Sequence, residues 1–114
     1  MYLTRGMFEE NLNTRFWLVA EGVEPYAMDL VDCVNAHSTA TQEQFSLRFR
    51  GDRQKIFPQR IYSLQHDSIG DFELFLVPIA QDESGTFYEA VFNRFVQVKQ
   101  QEADAEPQRQ EQAR

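Results

Sequence analysis

The stretch Phe45-Ser46-Leu47-Arg48-Phe49-Arg50 alternates strictly between apolar and polar residues. Period-two alternation places one set of side chains on each side of an extended chain, so the segment predicts a strand with one buried and one wet face. Gly51 and Asp52 end it. A second alternating segment puts Tyr62, Leu64 and His66 on one side and Ile61, Ser63 and Gln65 on the other. It runs into Asp67-Ser68-Ile69-Gly70, a turn in which Gly70 is expected to supply the positive-φ position.

Four more strands follow from the same logic. Phe16 to Glu21 is aromatic and apolar at its start and is stopped by Gly22 and Pro25. Tyr26 to Ala36 is extended but loses parity where Leu30 and Val31 sit side by side between Asp29 and Asp32, which predicts a bulge. Phe72 to Ile79 is almost wholly apolar from Leu74 onward, which predicts cover on both faces, with Leu74 and Leu76 in the core. Thr86 to Val98 closes the set and contributes Phe92 to the core. His37 to Gln44 reads as a loop, Phe57-Pro58 as a break, and Gln81 to Gly85 as a five-residue polar hairpin loop. Ahead of the strands, Thr4 is an N-cap for a short helix from Arg5 to Leu12, with Phe8 and Leu12 on one face and Asn13 closing it. About six strands at short spacing imply a mainly β domain over residues 1–99, an antiparallel meander or partly closed barrel whose one short N-terminal helix plugs an end or covers a face. Residues 100–114 lack any large apolar side chain and contain Pro107, which predicts a disordered C-terminal tail.

Composition narrows the function classes. The chain has 114 residues, among them ten Phe, four Tyr and one Trp, enough to fill one core and suited to pleated surfaces. Its formal net charge of −7 disfavours nucleic acid and anionic membrane as partners, since both recruit Lys and Arg. No apolar run has the length of a membrane span, and Met1 to Asn13 lacks the pattern of a secretory leader, so a soluble, cytoplasmic protein is expected.

Combined in order, Phe45-Ser46-Leu47-Arg48-Phe49-Arg50-Gly51, Pro58-Gln59 ahead of Tyr62-Ser63-Leu64-Gln65-His66, Ile69-Gly70, Leu74-Phe75-Leu76-Val77-Pro78-Ile79 and Tyr88-Glu89-Ala90-Val91-Phe92-Asn93 form a specific pattern. It resembles a family of small bacterial proteins classed as a domain of unknown function. The resemblance implies no activity, cofactor or catalytic residue. It does imply a setting beside phage-tail-like, collar-domain proteins.

Residues that could carry chemistry are few. His66 precedes Asp67, an arrangement that can orient a base, yet it shares parity with Tyr62 and Leu64 and is expected to face inward and bond the turn backbone. Cys33 is a lone cysteine and is expected to be a small buried hydrophobe. His37 has no partner at metal-ligand spacing, and Asp82-Glu83-Ser84-Gly85 lacks the positions of a calcium loop. No catalytic, cofactor or metal site is therefore expected.

One anomaly remains. Arg48, Arg50, Arg53, Lys55 and Arg60 face a single acid, Asp52, while the rest of the chain up to Lys99 carries 13 acids and 4 bases. This strip either balances acids across the sheet or steers an acidic partner, another copy included. The leading expectation is a non-enzymatic structural or protein-interaction domain that binds a protein partner or itself. The alternatives are a small-ligand-binding barrel and, third, an enzyme.

Overall fold

The computed structural model describes residues 2–35 and 38–95. The expected tail and His37 lie outside them. Thr4 caps the helix α1 (Arg5–Glu9): its Oγ1 accepts the Met7 N–H at 3.2 Å, while its own N–H points to Met7 Sδ at 3.4 Å. The helix stops short of the expected Leu12. Asn11 donates its side-chain amide to the Met7 carbonyl at 2.7 Å, competing with the helical ladder. Asn13 then takes a left-handed conformation (φ 65°) and donates its N–H to Leu30 at 2.7 Å, which turns the chain onto a strand.

The strands are β1 (Arg15–Val19), β2 (Tyr26–Asn35), β3 (Gln42–Gly51), β4 (Arg60–His66), β5 (Gly70–Asp82) and β6 (Gly85–Phe95). They form a closed ring in the order β1-β2-β3-β6-β5-β4, every neighbouring pair antiparallel, with β4 returning to β1. The ring is two three-stranded meanders joined edge to edge. Consecutive β3 and β4 consequently stand on opposite sides, and the connection from Asp52 to Gln59 must cross one end of the ring. The opposite end is closed by α1. Phe8 is fully buried there, its ring centroid 5.8–6.4 Å from those of Phe16, Phe45, Phe72 and Phe92.

Phe45, Leu47 and Phe49 are buried as their alternation predicts, and so are Tyr62, Leu64 and His66. The parity slip in β2 is a register shift between Leu30 and Asp32. Leu74 and Leu76 are core residues, whereas Phe92 is half-buried and packs against the core from its margin. The expected two-sided cover of β5 is not what forms: Phe75 is 49% exposed and Ile79 40% exposed. A six-stranded antiparallel ring buries only its inner face, so the outward residues of β5 meet solvent however apolar they are. The ladder slips between Pro78 and Ala80, where proline has no N–H to donate. The following hairpin is also tighter than expected. Asp82 pairs with Gly85, leaving Glu83 and Ser84 as a two-residue turn, and Asp82 Oδ1 accepts both the N–H (2.7 Å) and hydroxyl (2.6 Å) of Ser84. Gly85 is required because a Cβ there would run into the Gly51 carbonyl oxygen.

Candidate interaction surface

His66 is tied into the turn that follows it. Its Nδ1 accepts the N–H groups of Ser68 (3.0 Å) and Ile69 (3.2 Å), the turn contacts expected from its inward parity. An Nδ1 that accepts leaves the proton on Nε2, which donates to Thr14 Oγ1 at 2.8 Å; Thr14 in turn donates to the Asn11 carbonyl at 2.6 Å. Burial lowers the imidazole pKa below its ordinary value, with the Asp67 carboxylate pulling the other way. All hydrogen-bonding capacity of the ring is thus spent on the fold. Cys33 is half-buried, and burial raises its thiol pKa, the reverse of what activates a nucleophile. Among the described residues no three His, Cys, Asp or Glu side chains gather as metal ligands.

The five basic residues divide into two groups. Arg48 and Arg50 lie on the outer face of β3 beside acids of the same sheet. Arg48 stands between Asp32 on β2 and Glu89 on β6 in the strand register. Arg50 Nη2 reaches Asp29 at 3.7 Å, and Asp29 also accepts Arg15 at 3.3 Å. Such cross-strand alternation of charge stabilises a sheet surface. Arg53, Lys55 and Arg60 are different. They surround the crossing loop at the end of the ring, away from the acids of the sheet, are exposed, and like Arg48 have no carboxylate within ion-pair distance among the described residues. By contrast Arg5, Arg15, Arg50 and Arg94 each have one.

The crossing loop is fastened from beneath. Tyr88 Oη accepts the Phe57 N–H at 3.0 Å and donates to the Lys55 carbonyl at 3.3 Å. Tyr26 Oη bonds the carbonyl of Asp52 at 3.3 Å, Tyr62 Oη bonds that of Pro58, and Gln81 Nε2 donates to that of Arg53. Phe57 fits between Tyr26 and Tyr62, with centroids 4.6 and 5.8 Å away, and so seals the end of the ring. Burial drives the Tyr26 hydroxyl pKa up to about 12, with Tyr88 beside it adding to the effect. Lys55 and Arg60 lie over the rings of Phe57 and Tyr62 at 5.8 and 5.7 Å. Between these cations Ile56 is 57% exposed. The aromatic content of the sequence signalled a β core. That three tyrosines would serve as anchors for one loop was not readable there, because their hydroxyl partners are set by the crossing of the ring.

A family model described as a domain of unknown function (DUF6916) matches residues 3–92. The chain belongs to the DUF6916 family. No curated protein and no solved structure matches it. The match runs from the helix-capping segment into β6, so α1, the crossing loop and all of the ring except the last three residues of β6 fall within it in this DUF6916 domain. No helix among the described residues is long and apolar enough to cross a membrane.

Proposed function

We propose that this DUF6916 domain is a non-enzymatic protein-interaction module that presents its crossing loop to an acidic protein surface. The observation carrying this reading is a contrast at one end of the ring: the loop backbone is tied by tyrosine hydroxyls, while Arg53 and Lys55 on the loop and Arg60 just beyond it have no acid partner among the described residues. A loop ordered before binding loses little entropy on association, and exposed guanidinium groups suit carboxylate recognition. Ile56 supplies an apolar contact amid them. Arg50, paired with Asp29, and Arg48, flanked in the strand register by Asp32 and Glu89, contribute to the field rather than to the contact. The interior is occupied by Phe8, Phe16, Phe45, Phe49 and Tyr88, which favours this reading over a ligand-holding barrel. The sequence resemblance supports a place in a phage-tail-like bacterial assembly as the setting.

The test uses the full chain as bait against extract of the native organism, with Arg53→Glu/Lys55→Glu as the comparison. The expected partner is acidic, is lost on charge reversal, and is released as salt rises, because exposed charges are screened beyond about 8 Å at physiological ionic strength. Circular dichroism establishes that the variant is folded. Partners that bind both proteins equally, or with no salt dependence, would refute the reading.

A further inference from the structure

The turn between β4 and β5 is built around one lone pair. Ser68 and Ile69 both direct their N–H groups at His66 Nδ1, at 3.0 and 3.2 Å, and neither amide has a backbone carbonyl as partner. Backbone amides only donate, so the nitrogen they share must be unprotonated. The imidazole is also confined: it is 8% exposed, and its ring centroid lies 4.2 Å from that of Phe16. A proton on Nδ1 would point at two N–H groups left without an acceptor, and would place a charge where burial disfavours one. The side of the imidazole that faces β1 is indifferent to this change. Nε2 donates to Thr14 Oγ1 at 2.8 Å, and it carries a hydrogen in the neutral tautomer and in the imidazolium alike.

The charges around the imidazole favour movement in one direction. Asp67, exposed in the turn itself, is the carboxylate that acts on it and favours the protonated form. β1 brings Thr14 and Phe16, while Arg15 between them is held by Asp29 on the outer face. β5 brings Gly70, opposite His66 in the ladder, while Asp71 pairs with Gln65 and belongs to the outer face. An imidazolium thus meets its counter-charge by moving outward with the turn, not by staying in place. From this geometry we infer that His66 makes the Asp67–Gly70 turn an acid-operated latch: one proton taken from solvent at Nδ1 opens the turn and frees Ile69 while the ring of strands stays closed. Ile69 is 6% exposed in the closed form, so opening brings a buried apolar side chain to the surface beside Asp67. The strands hold because β4 remains paired with β1 on one side and, from Arg60 to His66, with β5 on the other. Gly70, at φ 97°, is the residue best able to absorb the change of chain direction. The latch lies at the end of the ring closed by α1, and does not depend on the function proposed for the crossing loop.

NMR of the amides and imidazoles of the full chain, titrated from about pH 7.5 to about pH 4.5, provides the measurement. The Ser68 and Ile69 amide signals are expected to leave their folded positions with the same midpoint as the His66 ring. Uptake of one proton sets the steepness, a rise of up to about tenfold in the open-to-closed ratio per pH unit. The amides of Leu18, Phe49 and Leu64, within the strands, are expected to keep their folded positions through that transition. His66→Asn offers a side-chain oxygen to amides two and three residues on and takes up no proton, so its turn is expected to stay closed across the range. Asp67→Asn is expected to lower the midpoint, and His37→Gln to leave it unchanged. Turn signals that hold their positions while His66 titrates overturn the inference. So do turn and strand signals that change together, or a transition that survives in His66→Asn. Should His66→Asn fail to fold, Asp67→Asn decides, since a midpoint it does not lower overturns the inference equally.

Discussion

His66→Gln offers a direct probe of how the ring is secured at the β4–β5 turn. The wild-type imidazole makes three hydrogen bonds, to Ser68, Ile69 and Thr14, and its ring centroid lies 4.2 Å from that of Phe16. Each intramolecular hydrogen bond is worth about 0.5–1.5 kcal/mol net, and a buried donor left alone costs about 1–3 kcal/mol. Gln can replace one or two of the contacts but cannot span from the turn amides to Thr14. A loss of about 1–3 kcal/mol near neutral pH is therefore expected, measured by urea denaturation. The pH dependence separates this account from a mere packing role. The folded-state pKa is depressed below the ordinary 6.5, so the unfolded chain binds the proton more readily than the fold does. The contribution of the neutral ring is fully present above 6.5 and is lost as pH falls from there through the folded pKa. One proton limits the slope to about 1.4 kcal/mol per pH unit. The wild-type advantage over His66→Gln should accordingly shrink on acidification, the His37 contribution cancelling because both proteins carry it. An advantage that is constant from about pH 8 to about pH 5, on both sides of the ordinary histidine value, would refute the neutral-ring assignment.

Other substitutions test the remaining parts of the structure. Leu76→Ala, at a fully buried site, should cost about 2–5 kcal/mol in urea denaturation; an unchanged midpoint would contradict its place in the core. Tyr88→Phe removes the hydroxyl that joins Phe57 to Lys55, and should cost about 1–3 kcal/mol while raising amide exchange at Phe57 well above the rate in the core strands. Gly85→Ala should destabilise by more than the common surface change of about 0.5 kcal/mol, because its Cβ meets the Gly51 carbonyl; thermal unfolding reads this directly.

Local features of this protein were legible in the chain itself. Thr4 as cap, the bulge after Leu30, the inward set Phe45, Leu47 and Phe49, and Gly70 at positive φ each depend on a few adjacent residues, whose stereochemistry acts wherever the segment ends up. The inward parity of His66 belongs with them, since the face of a strand is set by period two. What lay beyond the sequence is everything that needs two distant segments at once. Thr14 meets His66 across 52 positions because β1 closes the ring against β4. Phe75 is apolar and still exposed, since a run of apolar residues states what could be buried and the single inner face of the ring decides what is. The basic strip reads as continuous along the chain, but strand pairing sets Arg48 and Arg50 beside acids while the crossing loop carries Arg53 and Lys55 away from them and Arg60 opens β4 beyond it. The pairing of β6 arises the same way: its residues predict a strand, and only the register of β5 leaves Ala90 to Phe95 with β3 as its sole strand partner among the described residues.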